Sequence, residues 1–177
     1  MQYKDKFKFC PECGEKAGLK GRLIRCASCN FTYYIPPSVC NALMLYNDKN
    51  EILLIERKLD PFAGWYDTAG GFVEFGENIE ESIQREIQEE LSIKINIEDM
   101  WYVGSCTDVY EYEGLHYNTL GIVFASKVEN VKIEAHDDVK SYKFFSKDEI
   151  PYDKLAFTSG RKTILDFFQI LESHKFD

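Results

Sequence analysis

The sequence predicts an α+β fold: a mixed sheet with two helices, arranged as an α-β-α sandwich and preceded by a small cysteine-rich unit. Three observations carry this. Four of the six cysteines fall in two close pairs before residue 30. Short apolar runs bounded by turn residues recur between residues 38 and 145, as in strands. Two stretches, 78–91 and 159–171, instead repeat their apolar residues at helical spacing.

The first unit is rich in Cys, Gly and Lys and ends near Pro36-Pro37, since neither proline can donate to a strand ladder. It holds Cys10-Pro-Glu-Cys13 and Cys26-Ala-Ser-Cys29, two CxxC pairs twelve residues apart. Each pair offers two thiolates from one tight turn, and four thiolates suit a closed tetrahedral Zn2+ site. Gly14 and Asn30 sit just past the pairs, where such a turn wants residues that tolerate the left-handed conformation. A closed set leaves no position for water, so the zinc is structural. It supplies stability that about 36 residues cannot draw from a core. The expected division is a zinc ribbon at 1–36 and one larger domain at 37–177. Lys4, Lys6, Lys8, Lys16, Lys20, Arg22 and Arg25 make the ribbon locally basic. Zinc ribbons also bind nucleic acids, but solvated lysines are the simpler explanation.

The larger domain reads as follows. Residues 38–46 and 51–58 are apolar strands joined by a turn at 47–50. Residues 64–73 are Gly-rich with strand pieces. In the helix at 78–91, Ile79, Ile83, Ile87 and Leu91 recur every fourth residue, with Asn78 as N-cap and Glu81 completing a capping box. Strands follow at 93–97, 101–112, 117–127 and 139–145, with a turn at Glu113-Gly114. The final helix, 159–171, puts Ile164, Phe167, Phe168 and Leu171 on one face. Cys40 and Cys106 fall in strands and read as small buried hydrophobes.

Charge and composition narrow the function. Thirty acidic against twenty-one basic residues leave a net charge of −9. Such a chain repels phosphate backbones at long range, so nucleic acid is not the expected partner. Phosphate substrates stay open, because a bound metal inverts the local field. Residues 1–9 lack the apolar stretch of a signal peptide, and the longest apolar runs are too short to span a membrane. With paired cysteines this points to a reducing, cytoplasmic setting. A homodimer is compatible with the sequence.

The informative chemistry lies in residues 71–93. Glu86 and Glu90 are four apart, Glu86 and Glu89 three apart, so all three carboxylates share one helical face. Alone, such a cluster reads as a solvated acidic face. It follows Gly70-Gly71, however, where the backbone can turn sharply and approach a ligand. Like charges at this spacing repel unless a hard cation neutralises them, and Mg2+ or Mn2+ prefers oxygen ligands while keeping waters for substrate phosphates.

Gly71, Glu77, Arg85, Glu86, Ile87, Glu89, Glu90 and Ile93 match GX5EX7REUXEEXGU, so the segment resembles the Nudix box, and the resemblance extends over residues 38 to about 170. Two positions depart. Ser92 replaces the box glycine that leaves the helix in a left-handed conformation, which serine adopts only at some cost. Ala69 replaces the proline that usually precedes the double glycine. The resemblance implies the Nudix α-β-α sandwich and a Mg2+-dependent cut in the diphosphate of a nucleotide-type small molecule. It places the metal on Glu86, Glu89 and Glu90 with the Gly70 carbonyl, and has Arg85 and Glu77 orient the cluster. A metal-activated water, with a glutamate as base, attacks phosphorus. A later carboxylate is expected too, with Glu134, Asp137 and Asp138 as candidates and Ser141 where one would look first.

The substrate is less legible. The SQPWPFPxS motif of NADH pyrophosphatases is absent after the box; short zinc-ribbon members associated with ADP-ribose or FAD fit better. Tyr110, seventeen residues beyond Ile93, resembles a feature of some dinucleoside polyphosphate hydrolases. Trp101, Tyr102, Tyr110, Tyr112 and Tyr117 are base-stacking candidates, although strands are rich in aromatics anyway. His116, His136 and His174 have no metal-ligand spacing. The alternatives are an RNA 5′-end trimming protein whose ribbon contacts RNA, and a non-catalytic nucleotide sensor.

Overall fold

The computed structural model describes residues 6–129 and 131–173; Lys4 and His174 lie outside the described residues. The chain forms two compact units. One holds the residues up to Ser38 together with Val109–Thr119, the other Val39–Asp108 and the residues from Leu120 onward.

In the first unit, β1 (Ala17–Lys20), β2 (Leu23–Cys26) and β3 (Thr32–Tyr34) form an antiparallel sheet in that order. Gly18 pairs with Arg25 and Arg25 with Thr32; Lys20 pairs with Leu23 and Leu23 with Tyr34. A bridge between Phe9 and Lys16 extends the sheet past β1. These strands are three or four residues long, too short to leave a periodic signal.

In the second unit, β4 (Ser38–Tyr46) and β5 (Ile52–Arg57) form the expected hairpin, with Asn50 at φ 59° in its turn. The sheet order is β6-β5-β4-β8-β7, from β6 (Tyr66–Asp67), β7 (Trp101–Tyr112) and β8 (Leu115–Lys127), the tip of the β7–β8 hairpin being counted with the first unit, with β9 (Val139–Phe145) also paired to β5. Alternation along the strands makes two cores. Leu43, Leu45, Leu53 and Ile55 face α1 (Ile79–Leu91) through Ile83, Ile87 and Leu91. Met44, Ile52 and Leu54 face α2 (Thr158–Ser173) through Ile164, Phe167 and Phe168. This is the expected sandwich. Leu171 lies at the edge of the second core, only partly buried.

One expected strand is absent. Among the described residues, 93–97 pair with no strand; Ile97–Asp99 is a 3-10 turn. Ile93 and Ile95 are buried between exposed neighbours, so the alternation is real. It reports an extended segment docked on α1, held where Gln84 Nε2 donates to the Ile95 carbonyl at 2.7 Å. Period-two burial does not require a ladder.

Both ends of α1 follow from local chemistry. The Glu81 N–H donates to Asn78 Oδ1 at 2.8 Å and the Asn78 N–H to Glu81 Oε2 at 3.0 Å, closing the capping box. Ser92 leaves the helix at φ 56°, ψ 28°, so the exit keeps the left-handed geometry without glycine. Ser92→Gly should therefore raise the denaturation midpoint, by about 1 kcal/mol of relieved strain less the extra freedom of glycine when unfolded. A lower midpoint in urea would show that the serine side chain contributes instead.

Candidate functional site

The site forms where the Gly-rich segment runs back along β4. Leu43 N–H donates to the Ala69 carbonyl at 2.9 Å, Asn41 N–H to the Gly71 carbonyl at 2.8 Å, and Val73 N–H to the Val39 carbonyl at 3.1 Å. Two glycines permit this close approach. Gly70 has φ 142°, and a Cβ there would lie 2.5 Å from the Asn41 carbonyl oxygen. A Cβ on Gly71 would overlap the Glu86 carboxylate. The turn and α1 are thus pressed together, and the Gly70 N–H donates to Glu90 Oε2 at 3.0 Å.

Arg85 organises the other carboxylates. Its Nε and Nη2 donate to the two oxygens of Glu77 at 2.6 and 3.1 Å, a bidentate pair. Its Nη1 lies 2.9 Å from Glu86 Oε1 and 3.1 Å from Glu89 Oε2, and Nη2 also reaches the Phe72 carbonyl at 3.1 Å. Arg85 and the Glu74 N–H hold the Glu77 carboxyl down at about 2. Glu89 is half exposed. Glu90 is buried, and desolvation pushes its carboxyl up to about 8 against the Gly70 N–H. Burial also raises Glu86.

These are the residues expected to act, brought to one place. A buried carboxylate, Glu90, and a half-buried one, Glu86, both with raised proton affinity against a glycine cradle, suit a hard cation, which would offset their desolvation. The carboxylate oxygens of the helix do not converge as tightly as the ribbon thiols do, and the Arg85 guanidinium lies between Glu86 and Glu89.

The raised carboxyls carry a pH signature. Between the unfolded value near 4.5 and the folded value of about 8, the native state holds a proton on Glu90 that the unfolded state has released. Stability of the metal-free protein should therefore fall as pH rises through that window. Glu77, depressed to about 2, contributes nothing variable there. Melting temperatures in EDTA between pH 5 and 9 check this; a rise with pH would refute it.

Of the late carboxylates, Asp138 lies close enough to Glu90 to raise its proton affinity. Glu134 pairs with Lys132 and lies 3.5 Å from His136, and Asp137, at φ 49°, gives its carbonyl to Lys58 Nζ. Ser141 Oγ donates to Glu56 Oε2 at 2.7 Å. Two participants escape the motif. Asp67 raises Glu90 and is itself pushed up to about 6 by burial, with Arg57 at 3.4 Å opposing. Asn41 is buried with Nδ2 donating to Ser82 Oγ at 2.8 Å and Oδ1 without a partner among the described residues. Only an acidic residue three positions before the double glycine hinted at the first, and nothing local hinted at the second.

The aromatic candidates divide. Trp101 stacks on Phe167, centroids 5.6 Å apart, and is core packing. Tyr102 meets Phe124 edge-on and is half exposed. Tyr110 and Tyr112 stack at 6.4 Å on the hairpin tip that groups with the ribbon, which also holds Tyr117. His116, partly buried, lies 3.3 Å from the exposed Glu111.

In the ribbon, Cys10, Cys13, Cys26 and Cys29 place their sulfurs within 4.8 Å of one another. Cys10 to Cys29 and Cys13 to Cys26 are both 3.6 Å, near the edge of about 3.8 Å that a zinc–sulfur tetrahedron requires. Gly14 at φ 76° and Asn30 at φ 63° fill the two left-handed positions expected. The Cys29 and Ser28 N–H groups draw the Cys26 thiol down to about 6. Cys40 and Cys106 are only partly buried, both close to Gly121, and burial pushes Cys40 up to about 11.

A model of the NUDIX domain matches residues 36–167. An ADP-ribose pyrophosphatase of Methanocaldococcus jannaschii is 35% identical over 139 residues, 78% of either chain. A NAD-capped RNA hydrolase NudC of Pseudomonas aeruginosa is 27% identical over 147 residues, 81% of this chain but 49% of that one, so the match spans about half of that relative. The crystal structure of a NUDIX hydrolase from Nitrosomonas europaea superposes with a TM-score of 0.67 at 22% identity, covering 95% of this chain and 93% of that one.

Proposed function

The chain belongs to the Nudix hydrolases, and on that premise we propose that it hydrolyses the diphosphate of ADP-ribose or a close relative, with residues 37–177 as the catalytic domain and 1–36 as a zinc ribbon. The observation that carries the reading is the Gly70-Gly71 turn pressed against Glu86 and Glu90. The ADP-ribose choice rests on the relative that matches over most of both chains.

In this reading Glu86, Glu89 and Glu90, with the Gly70 carbonyl, hold Mg2+ or Mn2+. Bound there, the ion would supply Lewis-acid stabilisation of a phosphoryl oxygen and a more acidic water. Arg85 and Glu77 fix the carboxylates in place, and Asp138 is the preferred late carboxylate. A glutamate of the set takes the proton of the attacking water while a new P–O bond replaces the anhydride bond. The products from ADP-ribose are AMP and ribose 5-phosphate. Zn2+ in the ribbon is structural, and its thiolates suit a reducing cytoplasm.

A second reading, removal of a nucleotide cap from RNA, is favoured by the relatives that act on NAD-capped RNA. The deciding assay is a Mg2+ panel of ADP-ribose, NADH, FAD, diadenosine polyphosphates and NAD-capped RNA. ADP-ribose should turn over fastest. Faster cleavage of capped RNA would select the second reading. A compound bound but never cut would sink the enzymatic one in favour of a sensor.

A further inference from the structure

We infer that the exposed face of the ribbon sheet is a docking surface for single-stranded nucleic acid. The net charge of −9 hides a division. Through Ser38 there are seven basic and three acidic residues, a balance of +4; the rest of the chain holds fourteen against twenty-seven, a balance of −13. Glu111 and Glu113 lie on the hairpin tip of the same unit.

Strand geometry sorts the basic residues. Directly paired residues share a face and alternate residues share it along a strand. The pairs Phe9–Lys16, Gly18–Arg25–Thr32 and Lys20–Leu23–Tyr34 therefore fall on one side. The other side takes the buried Ile24 and Cys26. Among the described residues the first side carries three cations and no carboxylate. A fourth cation, Arg22, packs its guanidinium 5.7 Å from the Tyr34 ring centre. Among the described residues, Lys16, Lys20 and Arg25 enter no ion pair.

The same side exposes two rings, Phe9 at 61% and Tyr34 at 58% of their surface. Solvated lysines alone need no exposed aromatics. Rings interleaved with cations are what unpaired bases and their phosphates require, the rings stacking and the cations tracking the backbone. Gly18, where a Cβ would only touch the Arg25 carbonyl oxygen at 4.0 Å, keeps the centre of the face low. A duplex hides its base faces, so a single strand is the class of ligand selected. This surface is independent of the hydrolytic site, and failure of the substrate panel would leave it standing.

The test is fluorescence anisotropy of a labelled 12-mer RNA and a labelled hairpin duplex with the zinc-loaded full chain. The single strand should bind more tightly than the duplex. Phe9→Ala and Tyr34→Ala should each weaken binding about tenfold, the scale of one lost base stack, while Tyr34→Phe should retain it. Lys20→Ala with Arg25→Ala should flatten the salt dependence by roughly 0.7 in log–log slope for each phosphate no longer neutralised. Zinc stoichiometry and small-substrate turnover, unchanged in these variants, show that each remains folded. No binding at low salt, binding indifferent to both rings, or preference for the duplex would overturn the inference. So would salt-sensitive self-association abolished by the same variants, which would assign the face to the acidic body of a second copy.

Discussion

Cys13→Ser is expected to lose zinc and ribbon structure together, while the hydrolytic domain continues to turn over. Two sulfur pairs already stand at 3.6 Å and all four sulfurs within 4.8 Å, and the ribbon buries few large side chains, chiefly Ile24. Zinc binding in such small units contributes on the order of 10 kcal/mol, so removing one ligand removes most of what folds the unit. Amide exchange should show the strands at residues 17–34 losing protection, and metal analysis should show less than one zinc per chain. Activity on a small nucleotide should stay within about threefold, because a closed thiolate site has no position for substrate or water. Zinc retained at one per chain would refute the ligand assignment. Turnover lost in proportion to zinc would refute the separation.

The second large effect belongs to Glu90. Glu90→Gln keeps the shape and an acceptor for the Gly70 N–H, and removes a charge that burial disfavours. If the carboxylate holds the metal, kcat should fall by roughly 10^2 to 10^4, since the metal's action on water and phosphoryl oxygen depends on it. In EDTA the variant should melt higher than the parent at pH 8 and keep only the part of the downward trend that Asp67 and Glu86 contribute, because the most strongly raised carboxyl is gone. Glu89→Gln should cost less, because that side chain is half exposed and leans on Arg85. A structural role for Glu90 predicts the reverse, a lower melt with activity falling only in step. Rates at saturating Mg2+ paired with melts in EDTA separate the two.

Spacing makes the site legible where its parts are close in sequence. Asn78, Glu81, Arg85, Glu86 and Glu90 belong to one helix and its cap, so period and capping chemistry suffice to locate them. The strands of the second unit are legible for the same reason, through runs with a definite period. The segment at 93–97 has a strand's alternation without a strand's partner, and no local pattern distinguishes the two. Asn41 is invisible in the sequence, and Asp67 only hinted at, because their significance lies across the fold, in Ser82 and Glu90. The basic and aromatic face of the ribbon is hidden twice, by strands too short to show a period and by a net charge summed over two dissimilar units.

The hairpin tip Val109–Thr119 belongs with the residues up to Ser38, although seventy residues of the other unit intervene. The ribbon is therefore not a bead on a string. A cut at Pro36-Pro37 would separate the ribbon from a tip that is grouped with it in space. Grafting the ribbon onto another protein would have to carry the tip as well. Gain or loss of the ribbon in a lineage would accordingly be tied to the length and composition of a distant hairpin, so that two stretches of gene far apart change in concert.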